Sequence, residues 1–261
     1  MGMKSKVALL LAAGMILFGC VPPNSPVIAT PTADIETIGE FFARCPTVDE
    51  VSRVNTDLIL HFDYDPTTGS LACETSNGSA DLTVLQKRVY QTIYVMRLLH
   101  FSRPLPWTEK PLYDWFVNAI DSIRFVKGGL SHCCEPGNTI VVALHEDTVI
   151  LQTDRWIVSG ENYGLMNMTL LYAHEARHNE GPLHTCTTRR GDDNTLDEMG
   201  AWAIHHYLAL WIAQYGDPNF LIAPGDDPNV YRLIALQDAE TTRLTRFCKE
   251  VYVAPTTTLV P

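Results

Sequence analysis

Residues 174–184, HEARHNEGPLH, constrain the fold of this chain more than any other stretch. His174 and His178 are four residues apart, so on a helix their imidazoles lie on one face, one turn apart. Gly181 permits a sharp turn, and Pro182 cannot continue a helix. The spacing therefore predicts a helix that presents two histidines on one face and then ends abruptly.

His184 follows this exit and returns towards the face that carries the first two histidines. Two imidazole nitrogens one helical turn apart can each reach one zinc ion at about 2.0–2.1 Å, and a third can join them. Glu175 follows the first histidine, so it projects beside such an ion, where it can take a proton from bound water. The pattern predicts a Zn²⁺ site.

The stretch HEARHNEGPLH matches the pattern H-E-x-x-H-x-x-G-x-x-H at every fixed position. It resembles the zincin metallopeptidases, and among them the metzincin clan. The resemblance implies that the zinc ligands are His174, His178 and His184. It also implies that Glu175 is the general base of peptide hydrolysis and that the partner is a peptide or protein substrate.

Two acidic residues downstream are alternatives for the third ligand. Glu198 lies 20 residues after His178, similar to the glutamate ligand that gluzincins, another zincin clan, place on a second helix. Asp197 is a further candidate on the same turn, and an acid that does not bind metal is expected to fix a ligand imidazole instead. Metzincins carry a methionine-containing turn downstream, but the helix predicted over residues 195–216 places Met199 inside a helix.

The N-terminus predicts export. Residues 7–18 are apolar and follow a basic MGMKSK segment, but they are shorter than the roughly 20 residues of a membrane span. They end in LFGC, which resembles the lipobox of bacterial lipoproteins. We therefore expect a signal peptide over 1–19 and a lipidated Cys20 that begins a Pro/Thr-rich spacer over 20–33. The protein would then be anchored by lipid alone to the outer face of a bacterial cell membrane.

Composition and periodicity predict the class of fold. A net charge of −11 excludes nucleic acid as a partner, because phosphates would be repelled. We expect one α+β domain over 34–253, mostly helical, and a flexible tail over 254–261. A small β-sheet from 139–158 would precede the HExxH helix, as in a zincin-like fold. Helices are predicted over 35–45, 81–101, 111–126, 164–178, 195–216 and 228–250.

Six cysteines remain after Cys20, and an even number in an exported chain favours disulfides. The candidates are Cys45, Cys73, Cys133, Cys134, Cys186 and Cys248. Adjacent Cys133 and Cys134 are expected to bond to different partners, because a ring between neighbours is strained. Cys186, two residues after His184, is expected to form a disulfide that pins the metal loop.

Two classes of function fit these patterns. One is a zinc-dependent peptidase, in which three protein ligands leave a fourth position for water. The other is a surface metal-binding or adhesion lipoprotein, whose structural zinc has four protein ligands and no hydrolytic activity. Positions 198, 202 and 205 share a helix face, so one of His205 and His206 could also face the site.

Overall fold

The computed structural model describes residues 36–75, 78–158, 164–222 and 227–248. All of these belong to one compact unit. The predicted signal peptide, Cys20, the spacer and the tail lie outside them. Within these ranges, no helix combines the length and the apolar character that crossing a membrane requires.

Helices dominate the regular structure. The first three begin with capping boxes, in which Thr37, Thr47 and Thr83 accept a backbone N–H and a Glu or Gln three residues on reciprocates. The helices are α1 (Ile38–Ala43), α2 (Val48–Asp57), α3 (Val84–Leu98), α4 (Leu112–Ala119), α5 (Val149–Gln152), α6 (Met166–Asn179), α7 (Ala201–Tyr215), α8 (Pro218–Leu221) and α9 (Pro228–Thr245).

A four-stranded sheet has the order β1-β4-β6-β5. Its first three members are parallel, and β5 pairs antiparallel with β6 at one edge. Every residue of β6 is buried, as expected for a strand with sheet on both sides. The strands are β1 (Ile59–Phe62), β4 (Ser122–Lys127), β5 (His132–Glu135) and β6 (Thr139–Leu144), and β2 (Leu71–Cys73) and β3 (Leu82–Thr83) form a separate pair.

The mixture of helix and strand confirms the α+β prediction, but two segments around the sheet were assigned wrongly. The helix predicted over 111–126 stops at Ala119, and Ser122–Lys127 is the strand β4. The strands predicted over 139–158 reduce to β6, and Val149–Gln152 is helical. Short apolar runs fit either state, so tertiary pairing decides between them.

The motif helix α6 lies between the sheet and the C-terminal helices. It contacts β5 and β6 on one side and α7 on another, and α7 packs along α9. Tyr172 and Ala176 of α6 are fully buried. Burial on several sides explains why polar groups on this helix meet a core rather than solvent.

Disulfides join three pairs of cysteines. Cys45–Cys73 connects the end of α1 to β2, and Cys186–Cys248 connects the loop after α6 to the end of α9. Cys133 and Cys134 are bonded to each other, so the expectation of separate partners was wrong. Among the six cysteines of the described ranges, the other four are paired elsewhere, and Cys134 takes a positive φ of 68° in the bonded pair on β5.

Candidate metal centre

The motif helix places its two histidines on one buried face. His174 and His178 are 4% and 7% exposed, and their ring centroids are 5.0 Å apart. Glu175 is 5% exposed. One helical turn separates the two imidazoles, which is the relation that their spacing predicts.

The turn that ends α6 also orients His178. Gly181 has a φ of +112°, which side chains rarely tolerate. The carbonyl oxygen of Pro182 then accepts a hydrogen bond from Nδ1 of His178 at 2.7 Å. A carbonyl can only accept, so the neutral ring carries its proton on Nδ1 and its lone pair on Nε2. The Gly-Pro pair thus ends the helix and sets the tautomer of one candidate ligand.

His184 reaches the same place from the loop after the turn. Its ring centroid lies 5.5 Å from that of His174 and 4.5 Å from that of His178. Its Nδ1 donates to Oδ1 of Asp193 at 2.9 Å, and the Asp193 side chain is only 1% exposed. A carboxylate on Nδ1 keeps the lone pair of the neutral ring on Nε2.

Asp193 is held by distant parts of the chain. Its Oδ2 accepts the backbone N–H of Trp202 at 3.1 Å. Its backbone pairs with residues 246–248 through two hydrogen bonds of 3.0 Å. The Cys186–Cys248 disulfide joins the same two segments. A Cβ on Gly200 would lie 2.5 Å from Oδ2, so the glycine leaves the space that the carboxylate fills.

The three imidazoles form a group that could hold a metal ion. One nitrogen of each ring lies within 4.8 Å of the others. Nitrogens that share a tetrahedral zinc at about 2.0–2.1 Å are about 3.4 Å apart, so small side-chain rotations would close the group on one ion. Imidazole nitrogens suit zinc, copper, iron and nickel. The donor set therefore fits a transition-metal site.

Burial determines the protonation of the site. Burial, reinforced by the neighbouring His205, holds the pKa of His174 well below its ordinary value, and burial also lowers the pKa of His178. Burial raises the pKa of Glu175 to about 7, which nearby histidine charges only partly offset. Neutral imidazole is the form that binds metal, and a carboxyl with a pKa near 7 exchanges its proton readily at neutral pH.

The acidic alternatives lie beside the group of three histidines rather than in it. Asp197 and Glu198 are exposed, in a single turn of 3₁₀ helix, Leu196–Glu198. Glu198 accepts hydrogen bonds from the hydroxyl of Thr185 and the amide of Asn194, both in the loop between α6 and this turn. The geometry therefore favours His184 as the third metal-binding residue. Glu198 instead stabilises the loop through its hydrogen bonds to Thr185 and Asn194.

Met199 lies in a turn, which corrects the helix predicted over 195–216. Its φ is +48°, and α7 begins only at Ala201, where the buried apolar run starts. The Met199 carbonyl accepts a hydrogen bond from Nε of Arg177 at 2.9 Å, and Arg177 also pairs with Glu180 at 2.7 Å. The turn is therefore tied to the last turn of the motif helix.

The first turns of α7 form a wall of the site. The ring of Trp202 lies 4.2 Å from that of His174 and 6.1 Å from that of His184, measured between centroids. His205 lies 6.3 Å from His174. His206 turns away, and its Nδ1 donates to the Ala239 carbonyl at 2.7 Å. Of the two neighbouring histidines, His205 is the one that faces the site.

Asp193 and Trp202 are the site residues that sequence reasoning missed. Asp193 has no fixed spacing from the motif, and Asp192, Asp197 and Glu198 are equally acidic neighbours in sequence. The one signal was general: a ligand histidine usually donates its second nitrogen to a carboxylate or carbonyl. That rule predicts a partner but not its position.

Comparison of the chain with protein-family models gives no match. Comparison with curated proteins and with solved structures gives none either. The interpretation of the site therefore depends on its own geometry, above all on three converging imidazoles beside a buried carboxyl group.

Proposed function

We propose that this protein is a zinc-dependent peptidase in which Glu175 is the general base. The observation that supports it best is the group of three imidazoles, with Glu175 buried on the same helix and within electrostatic reach of His184. Zinc held by His174, His178 and His184 would activate a water molecule and polarise the scissile carbonyl.

Glu175 moves the proton in this proposal. It accepts a proton from the attacking water and then donates it to the leaving amine. Burial raises its pKa in the metal-free site, and a bound zinc would favour its carboxylate form again, which is the form that accepts the proton of the water. Its place one residue after His174 puts it next to the three histidines without making it a metal ligand.

The supporting hydrogen bonds favour a preorganised site. Pro182 fixes His178, and Asp193 fixes His184. Both contacts leave Nε2 available, so the rings need no change of tautomer to bind an ion. Such preorganisation is typical of sites that use a metal in chemistry.

The surrounding fold is compatible with a zincin-like peptidase. The HExxH helix follows the sheet in the chain and contacts its edge strand β5. As the last strand in the order β1-β4-β6-β5, β5 has no described strand on its outer side. An extended peptide could add there by backbone hydrogen bonds. With lipid on Cys20, the enzyme would meet its substrates outside the bacterial cell membrane.

A structural zinc site would require a fourth protein ligand. Glu198 is an acidic candidate from the sequence, but its carboxylate accepts hydrogen bonds from Thr185 and Asn194. Among the described residues, the donor group contains three histidines and no acid. This composition supports an open position for water over a closed, purely structural site.

Metal analysis and one isosteric substitution test the proposal. We expect the purified protein to bind one equivalent of zinc, and Glu175→Gln to keep that zinc while losing hydrolysis of a peptide library. His178→Gln should lose zinc, whereas the exposed strand variant His61→Gln should not. Absence of zinc binding in the wild type, or full hydrolysis by Glu175→Gln, would overturn the proposal. Tight zinc without hydrolysis of any peptide would favour the structural alternative.

A further inference from the structure

Two buried imidazole nitrogens, one in the three-histidine group and one beside it, lack hydrogen-bond partners. They are Nδ1 of His174 and Nδ1 of His205, and neither is bonded to any described residue. Their ring centroids are 6.3 Å apart. Buried polar atoms nearly always have a hydrogen-bond partner, so two unpaired nitrogens on neighbouring rings indicate a partner that they share.

The other nitrogen of His205 is already engaged. Its Nε2 lies 3.2 Å from Oδ2 of Asp238, whose side chain is buried on α9. A carboxylate can only accept, so in the neutral ring Nε2 carries the proton and Nδ1 carries the lone pair. His205 therefore has a buried acceptor nitrogen, Nδ1, that no described residue uses.

His174 has the complementary need. When its Nε2 lone pair is used by a metal, its Nδ1 must carry a proton, and this N–H is buried without an acceptor. His178 and His184 already have acceptors for their Nδ1 protons, in the Pro182 carbonyl and in Asp193. His174 is the one member of the group whose outer nitrogen is unsupported.

We propose that His205, oriented by Asp238, is the positioning residue that accepts a hydrogen bond from the Nδ1–H of His174, directly or through one water molecule, and so completes the support of the three-histidine group. The inference depends on the proposed metal-binding function. It links the site to α9 through a chain that runs from His174 through His205 to Asp238.

The distance decides how this link is made. Two imidazoles joined directly by N–H···N have centroids about 5 Å apart, and one bridging water spans about 6–7 Å. The observed 6.3 Å fits a single water or a small ring rotation. Trp202 contacts both rings, at 4.2 and 5.5 Å between centroids, and shields the space beside them. A shielded link keeps its electrostatic strength.

Zinc affinity is the first test. Chelator competition should show Asp238→Asn and His205→Gln binding zinc 10- to 100-fold more weakly than wild type, the effect typical of lost support for a ligand. His206→Gln is the matched control, because the His206 ring is turned towards the Ala239 carbonyl. Its affinity should stay within about 2-fold of wild type. Circular dichroism and melting of the metal-free forms show that each variant is folded.

The second test does not need metal. Nitrogen-15 NMR of the metal-free wild type should show the His174 imidazole protonated on Nδ1, and Asp238→Asn should shift it towards the other tautomer. Unchanged zinc affinity in both variants, or a His174 proton on Nε2 in the wild type, would overturn the inference. A wild type that shows the Nδ1 tautomer but binds no zinc would instead refute the proposed function and leave the hydrogen-bonded chain standing.

Discussion

Replacing Glu175 with glutamine should stabilise the metal-free protein, and the gain should increase with pH. Burial raises the pKa of Glu175 from 4.5 to about 7, so the folded state binds this proton more tightly than the unfolded state. The stability contributed by this group is complete below a pH of about 4.5 and is lost as the pH rises through 7. Glutamine does not titrate, so the variant does not lose this stability as the pH rises.

The size of the effect follows from the pKa difference. A difference of about 2.5 between the two states corresponds to about 3 kcal/mol in the free energy of unfolding. Between about pH 5 and pH 8, the free-energy advantage of the variant should grow by about 2.5 kcal/mol. Both proteins contain His174 and His178, so the part of their pH dependence that does not involve Glu175 cancels in the difference, whereas the coupling of Glu175 to the charges of His132 and His184 remains in it.

Urea denaturation of chelator-treated wild type and Glu175→Gln across this pH range measures the difference. Metal must be absent, because a bound cation would favour the charged carboxylate. Glu146→Gln removes a carboxylate from an exposed position and is the matched control. If the advantage of Glu175→Gln is the same at both ends of the range, Glu175 is not held in a charge-disfavouring environment and the reasoning is refuted.

Two further predictions concern the support of the third histidine. Asp193→Asn should weaken zinc binding 10- to 100-fold in chelator competition, because it removes the acceptor of the His184 Nδ1 proton, while exposed Asp197→Asn should leave the affinity unchanged. Removing the Cys186–Cys248 disulfide, which spans 62 residues, should cost about 2–4 kcal/mol of stability in urea and should also weaken zinc binding. Removing Cys45–Cys73 should lower stability but leave the affinity intact, and an equal loss of affinity in both would contradict the assigned role.

The motif helix and its exit were predictable because local rules determine them. The i, i+4 spacing of His174 and His178 fixes their relation on any helix. The Gly181-Pro182 pair ends the helix, and in the structure the Pro182 carbonyl also holds His178. A local sequence thus specifies two of the candidate ligands and the support of one of them.

The remaining support depends on contacts between segments far apart in the chain. Asp193 is positioned by backbone pairing with residues 246–248, and His205 depends on Asp238 of α9. No local pattern distinguishes Asp193 from the acidic residues around it. The strand β4 was missed for a related reason, since its pairing with β1 and β6 overrides a helical pattern.

The first two histidines are held by local structure and the third by distant contacts, so the three should not be released together when the fold loosens. His174 and His178 stay on one face as long as α6 is helical, but His184 is aimed through Asp193, whose backbone is bonded to the end of α9. Loosening residues 246–248 would therefore release the third imidazole before the first two. Because a ligand that binds only the folded state stabilises that state, an ion held by all three would in turn hold the end of α9 in place. If the site binds metal, its affinity and the docking of the last helix would therefore be two measures of one coupled equilibrium.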